Sequence, residues 1–371
     1  MTQYMSRPTE ILIDLDALKH NCRIAQSLAP NSKTVAVIKA DAYGHGAIDI
    51  AQALQSQVAM FAVSSIEEAM ELRMAGIRIP ILLLEGCFSQ QELECAVIQG
   101  FDVVMHNREQ VDMLAQLQQQ KGLTVWLKVD TGMHRLGFNE SDVASVFDDL
   151  SASQSVNQIV LMTHLSVADE VKNIATQEQL GIFNRCVKQI QQISSQPVTV
   201  SIANSAAVQA WPNSHGDWNR PGIMLYGLSP FAEPKDLIEP LQPVMTLTSK
   251  VIALRQIQAQ QSVGYGNTWT AKRASTIATI AVGYGDGYPR NAKSGTPVLV
   301  NGQRAQLCGR VSMDMITVDV TDLENVEIGS SVELWGKNLN ANEVAKYADT
   351  IGYELVTRMP KRLSRRIGQS D

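Results

Sequence analysis

Apolar positions along the first two-thirds of the chain fall into two alternating rhythms. Short runs rich in β-branched residues, TVAVIK, MFAVS, IPILLLE, FDVVMH, LTVWLKVD, IVLMTH and PVTVSIA, are nearly continuous, as strands buried on both faces would be. Amphipathic stretches of helical period separate them. Three of these open on a capping residue with its partner three positions on: Ser65 with Glu68, Ser89 with Glu92, and Asn107 with Gln110. They are predicted to run to Gly76, Gly100 and Gly122, since glycine just past a helix end supplies the left-handed residue that closes it. In TQEQLGIFNRCVKQIQQI, Leu180, Phe183, Val187 and Ile190 share one face, a core stripe. Seven strands alternating with helices, and an eighth within DWNRPGIMLYG, predict an α/β fold, a (β/α)8 TIM barrel in preference to an open doubly wound sheet.

The pattern changes after residue 239, through the proline-bearing segment FAEPKDLIEPLQP. VMTLTSKVIAL, STIATIAV, TPVLV, MITVDV and SVELWG read as strands without intervening helices, and Asn301-Gly302 marks a hairpin. One helix is expected near ANEVAKYADTIG. The chain is therefore divided into a barrel, residues 1–239, and a mainly β domain, residues 240–371, on which the first ten or so residues are expected to pack. The glycine–aromatic clusters VGYGNTW and VGYGDGY fall in loops of the second domain, where exposed aromatics face ligands more often than they build core.

Composition narrows the classes of function. The chain has 371 residues, 45% of them hydrophobic, enough for one large core and a smaller one. A net charge of −6, with basic residues concentrated only in KRLSRRI, argues against nucleic-acid binding. No apolar run is long enough to span a bilayer and no leader pattern is present, so no membrane role is expected. Five scattered cysteines without a CxxC pair suggest neither a disulfide framework nor a zinc site, and the cytoplasm is the expected compartment.

A barrel of this kind carries its chemistry where the strands end, and Lys39, His106, Lys128, His164, Asn204 and Ser205 all stand there. In TVAVIKADAYGHG an apolar run stops at Lys39. A lysine so placed must be paired, used chemically, or extended along its stem to water, and spacing alone leaves these open. Residue chemistry alone also permits a metal-dependent barrel hydrolase using His106, Lys128 and His164.

Motifs spanning both domains resemble the alanine racemase family: ILIDLDALKHN, AVIKADAYGHG, LKVDTGMHRLGF, THLSVAD, ANSAA, NRPGIMLYG, VGYGNTW, VGYGDGYPR, GRVSMDM and the terminal Arg-Met segment. The resemblance implies an isomerase that interconverts L- and D-alanine using pyridoxal 5′-phosphate held on Lys39, supplying D-alanine for peptidoglycan or serving alanine catabolism. A lysine acts as the required nucleophile only when neutral, and burial favours that form. The resemblance places Tyr43, Ser205, Gly222, Ile223 and Tyr353 at the cofactor phosphate, with Asn204 beside Ser205. It sets Arg220 against the pyridine nitrogen and His164 in the same network. His45 reads as local packing or loop hydrogen bonding.

Racemisation takes a proton from one face of the α-carbon and returns one to the other, most simply with two bases. Lys39 resembles the base for D-alanine and Tyr265 the base for L-alanine, donated in this family by the neighbouring subunit of a head-to-tail homodimer. Tyrosine needs a polarising neighbour for that work, and the His164–Arg220 network is the candidate. Arg135 resembles the residue that grips the substrate carboxylate, a task suited to its planar fork. Lys128 resembles a lysine that many relatives carbamylate. Met313 and Asp314 lie in a loop that reaches substrate from the partner, with Ser312 where some relatives carry cysteine, and Tyr284 and Tyr353 resemble a gate restricting substrate size. A broader-specificity amino-acid racemase is the alternative. A non-catalytic pyridoxal-phosphate carrier lacks the β domain and Tyr265, and a fold-related basic amino-acid decarboxylase has glutamate where this chain has Arg220.

Overall fold

The computed structural model describes residues 7–117, 122–232 and 239–368. Most of the segment proposed to join the domains, residues 233–238, lies outside them, as do residues 118–121 and the first six. Strand β1 (Glu10–Ile13) leads into α1 (Leu15–Leu28), which Asp14 caps by accepting the Asp16 and Ala17 N–H groups at 3.0 and 2.9 Å. Eight parallel strands follow: β2 (Lys33–Val37), β3 (Met60–Val63), β4 (Ile81–Leu83), β5 (Asp102–Met105), β6 (Leu123–Lys128), β7 (Val156–Met162), β8 (Thr199–Asn204) and β9 (Trp218–Arg220). They form a closed barrel in chain order, β9 pairing back onto β2. The connecting helices are α2 (Ala47–Leu54), α3 (Ile66–Met74), α4 (Gln90–Gln99), α5 (Arg108–Asp112), α6 (Val143–Ala152), α7 (Ala175–Ile193) and α8 (Ser205–Ala210).

Alternation along the strands divides the apolar residues between two cores. Val35, Val37, Met60, Ala62, Leu82, Val104, Trp126, Val160 and Met162 fill the barrel interior. Ala36, Phe61, Val63, Ile81, Leu83, Val103, Val125, Leu127 and Leu161 pack outward under the helices. Both sets are buried, which is why the strand sequences are continuous apolar runs. Leu180, Phe183 and Ile190 of α7 are buried as the stripe requires, with Val187 partly so.

The three helix starts use a variation on the expected capping box. The residue at the third helical position reaches back to the N–H that precedes the cap: Glu68 to Ser64 (2.7 Å), Glu92 to Phe88 (2.9 Å) and Gln110 to His106 (2.9 Å). Ser89 and Asn107 make their own cap bonds, whereas Ser65 makes none. Gly76 and Gly100 adopt the left-handed conformation, with φ of 89° and 65°. Gly122 does not. The third helix stops at Asp112 and passes into a 3-10 turn at Met113–Gln116, so Gly122 serves the entry to β6, where a Cβ would meet the Asn157 side chain at 2.7 Å.

In the second domain β10 (Met245–Ile257), β11 (Ser262–Val263), β12 (Trp269–Thr270), β13 (Ser275–Ile280), β14 (Pro297–Val300), β15 (Gln303–Leu307), β16 (Ile316–Asp319) and β17 (Ser331–Trp335) are followed by α9 (Ala341–Tyr347), α10 (Gly352–Thr357) and β18 (Ser364–Ile367). Asn301 and Gly302 both take positive φ, 49° and 74°, in a two-residue hairpin joining β14 to β15. The eight-stranded sheet runs β13-β16-β15-β14-β17-β10-β1-β18, and β13 also pairs with β10. Strand β1 thus belongs to the β sheet. Two helices stand where the sequence suggests one; α10 is short, buries Leu355 and Val356, and stops just before Pro360. The basic terminal run is strand β18 with its neighbours: Arg362 pairs with Asp286 and Asp314, Arg365 with Asp41, and Arg366 with Glu10. Among the described residues no helix is long and apolar enough to cross a membrane.

At the start of β5, the Asp102 carboxylate accepts the Trp126 indole N–H inside the barrel (3.0 Å). Burial pushes this carboxyl up to about 6, with the indole N–H opposing. Such a group stabilises the fold fully only below its ordinary value of 3.8, and that contribution is lost as pH rises through about 6. Asp102→Asn keeps an acceptor for Trp126. Calorimetry is expected to show its thermal midpoint a few degrees above wild type near neutral pH, with the difference vanishing at about pH 4.

Candidate active site

A cavity of about 630 Å³ opens at the C-terminal ends of the barrel strands. It brings together eleven residues named from the sequence: Lys39, Tyr43, Lys128, Arg135, His164, Asn204, Ser205, Arg220, Gly222, Ile223 and Tyr353. His106 is not in its wall. The His106 Nε2 instead lies 3.1 Å from the Glu85 carbonyl, so the histidine pair needed by a metal-dependent hydrolase is not assembled.

Lys39 is half-buried and begins a sharp turn two residues past β2. Ala40, Asp41, Ala42 and Tyr43 all have φ of 53–54°, a left-handed conformation that residues with a Cβ rarely adopt. The Tyr43 ring stacks on Tyr226 with centroids 4.9 Å apart, and the Tyr226 hydroxyl donates to the Val37 carbonyl (2.9 Å). Burial pushes the Tyr43 phenol up to about 12, keeping it a protonated donor. His45 is buried with Nδ1 2.8 Å from the Tyr43 carbonyl, a local packing role.

Opposite, Gly222 lets Tyr43 approach, because a Cβ there would sit 2.6 Å from the phenol oxygen. Ser205 Oγ accepts the Gly222 N–H (2.8 Å), and Asn204 caps α8 by accepting the Ala207 N–H (3.0 Å). Asp130 shapes the loop bearing Arg135: its Oδ1 accepts the N–H groups of Gly132, Met133 and His134 at 2.9, 3.1 and 3.0 Å. The following strandlike return, Phe138 N–H to the Lys128 carbonyl (2.9 Å), brings Arg135 back over Lys128.

Electrostatically the cavity gathers positive charge. Arg220 is buried and donates only to neutral acceptors, Ser201 Oγ, the Thr163 carbonyl (2.6 Å) and the Ile202 carbonyl (3.2 Å). Burial, then Arg220, Arg135 and Lys39, pull the Lys128 amine down to about 8. Burial, then Arg220, Lys128, Arg135 and Lys39, pull His164 down to about 3, so its imidazole is neutral at every physiological pH. Glu85 and Asp169 also line the wall. Sequence reasoning passed over both, though Glu85 ends the IPILLLE strand by the rule that singled out Lys39.

Tyr265, Tyr284, Met313 and Asp314 are absent from this cavity. They share one surface of the β domain. The Tyr284 N–H donates to the Ser312 carbonyl (3.0 Å), the Gly285 N–H to the Met313 carbonyl (2.8 Å), and Gly266 packs on the Arg310 guanidinium. Buried Asp286 anchors both loops through Arg7 (2.6 Å) and Arg362 (2.7 Å), and Arg362 also holds Asp314 (2.6 Å). Tyr265 is 69% exposed, Met313 53% and Tyr284 41%, an unusual display of large apolar groups for a finished surface.

A closed parallel barrel with a lysine at the mouth of a cavity rich in cationic side chains, joined to a β domain, defines a barrel enzyme acting on small molecules that carry anionic groups. The chain matches the alanine racemase N-terminal domain over residues 13–230 and the alanine racemase C-terminal domain over residues 244–367. It belongs to the alanine racemase family. It is 53% identical to the alanine racemase of Pseudoalteromonas atlantica, covering 97% of this chain and 99% of the relative, and 49% identical to that of Pseudomonas fluorescens, covering 94% and 96%. Among solved structures, the biosynthetic alanine racemase from Pseudomonas aeruginosa superposes with a TM-score of 0.93 at 42% identity, covering 98% of this chain and all of that one. The alanine racemase from Acinetobacter baumannii gives 0.89 at 38% identity, with the same coverage.

Because burial is the first cause of the His164 shift and the cations the rest, Lys128→Met is expected to move the His164 titration upward while leaving it below 6.5. Histidine ring resonances followed against pH check this.

Proposed function

We infer that the chain interconverts L- and D-alanine with pyridoxal 5′-phosphate held at Lys39, and that its working form is a head-to-tail homodimer in the cytoplasm. The observation that carries this is the cavity itself, where Lys39, Lys128, Arg135 and Arg220 converge on a space suited to a phosphate and a carboxylate. The residues fit the cofactor: a lysine for covalent attachment, a Gly222–Tyr43 cradle that a Cβ would fill, and a buried Arg220 whose protein partners are all neutral. Pyridoxal phosphate, when bound, acidifies the α-proton of an amino acid by delocalising the electron pair left behind.

Tyr43, Ser205, Gly222, Ile223 and Tyr353 would hold the phosphate, with Asn204 fixing the start of α8 beside them. Arg220 would face the ring nitrogen; being a donor with no acceptor capacity, it disfavours a proton there. His164 would keep Arg220 and the cavity wall in register. Arg135 would grip the substrate carboxylate. The Lys39 amine would serve one face of the substrate α-carbon, for D-alanine, and Tyr265 of the partner subunit would serve the other, for L-alanine. The exposed Tyr265, Tyr284 and Met313 surface supports that assembly. It would carry Met313 to the substrate, with Asp314 bracing the loop, and Tyr284 to a gate facing Tyr353 that favours alanine over bulky amino acids. Residues 1–239 would then be the cofactor barrel and 240–371 the partner-facing domain. Five unpaired thiols support the compartment.

The lowered Lys128 amine supports its carbamylation: the neutral nitrogen attacks carbon dioxide, a proton leaves, and a cation becomes an anion that steadies Arg135. Carbon-13 bicarbonate is expected to give one carbamate resonance per chain, absent in Lys128→Arg; an unchanged spectrum in that variant would exclude the modification.

Incubation of L-alanine in heavy water is expected to abolish optical activity and place deuterium at the α-carbon of both enantiomers. Retained optical activity would overturn the racemase assignment. Lys39→Ala is expected to lose the bound cofactor chromophore, while Tyr265→Ala keeps it and loses racemisation, with α-proton exchange from L-alanine falling more than from D-alanine. A panel of larger amino acids tests the alternative of a broader-specificity racemase, which turnover comparable to alanine would favour.

A further inference from the structure

We propose that Glu68, at the start of α3, is a positioning residue for Lys39, holding the left-handed turn that presents it to the cavity; this rests on the role assigned to Lys39 above. Four consecutive residues with side chains, Ala40 to Tyr43, occupy a region that L-residues avoid. Such a conformation persists only where its surroundings over-determine it. The turn's own sequence, KADAYG, supplies just one glycine, Gly44, so the constraint comes from elsewhere in the fold.

Glu68 holds the residue that follows Lys39. One carboxylate oxygen accepts the Ala40 N–H at 2.7 Å, and the other accepts the Ser64 N–H at 2.7 Å. The carboxylate therefore bridges the loop after β2 to the loop after β3. A second hold lies farther along the turn, where Asp41 accepts the Ala47 N–H (2.8 Å) and pairs with Arg365 of β18 (2.6 Å). A third is steric, since Gly44 lies so close to α10 that a Cβ would come within 2.0 Å of the Val356 carbonyl.

Comparison with a neighbouring repeat supports a role beyond capping. Gln110 occupies the equivalent third position of α5 and likewise accepts the N–H before its cap, while its amide nitrogen donates backward to the Glu85 and Cys87 carbonyls (3.1 and 3.3 Å). Where the preceding loop offers carbonyls, the residue is an amide. At Glu68, where that loop offers the Ala40 N–H, the two carboxylate oxygens accept both bonds, whereas Glu92 of α4, also a carboxylate, accepts the N–H before its cap. Ser65 makes no cap bond, so Glu68 is free of the reciprocal box that its spacing suggests.

Glu68→Gln separates positioning from folding, because glutamine matches glutamate in size and helix propensity but must turn a donor toward one of the two N–H groups. In the full-length enzyme, amide hydrogen exchange in residues 39–46 is expected to quicken about tenfold, while α3 and the thermal midpoint stay near wild type. The kcat is expected to fall about tenfold in both directions with KM for alanine within about twofold, since Arg135 is untouched. Glu68→Ala should reproduce the local effect. Unchanged exchange in 39–46, exchange rising throughout the barrel, or a loosened turn with wild-type kcat would each overturn the proposal. The wild-type racemisation assay reports separately on the role of Lys39, so the two fail independently.

Discussion

A parallel barrel buried on both faces leaves polar side chains almost no place but the ends of its strands. In this chain an apolar cluster from Val35 to Met162 fills the interior, and the Asp102 carboxylate beside it is satisfied by Trp126. Everything reactive is pushed to one rim. The cost of that concentration is electrostatic: burial, Arg220, Arg135 and Lys39 make the Lys128 amine harder to charge, and burial with all four cations does the same to His164. The phosphate and carboxylate groups inferred above would relieve that cost.

The β domain supplies what a rim alone cannot. Its last strand ties Arg365 to Asp41 beside Lys39, and α10 delivers Tyr353 into the cavity while closing on Gly44. Its far surface, braced by Asp286 between Arg7 and Arg362, holds aromatic and apolar side chains out toward solvent. The domain thus completes its own barrel's site, and its far surface is the one proposed above to meet a second chain.

Much of this was legible in the sequence because it follows from periodicity and from strand-end chemistry. The strands, the change of rhythm after the barrel and the Asn301-Gly302 hairpin depend on local patterns, and the structure has them. What was missed depends on distant partners. Nothing in KADAYG announces four left-handed residues, because Glu68, Asp41 and Val356 impose them through contacts 6 to several hundred positions away. Ser65 and Gly122 have the right residue type for a cap and a stop, yet Glu68 and the early end at Asp112 take over those functions. KRLSRRI reads as a charge run until its carboxylate partners, all remote in sequence, are seen. The role proposed for Tyr265 rests on its motif, since within one chain it stands outside the cavity.

The central claim is that catalysis needs Lys39 from one chain and Tyr265 from another. Lys39→Ala and Tyr265→Ala chains, each inactive alone, should on mixing under subunit exchange recover roughly a quarter of wild-type racemase activity, since half the dimers are mixed and each holds one intact site. No recovery, with mixed dimers present by native mass spectrometry, would contradict it.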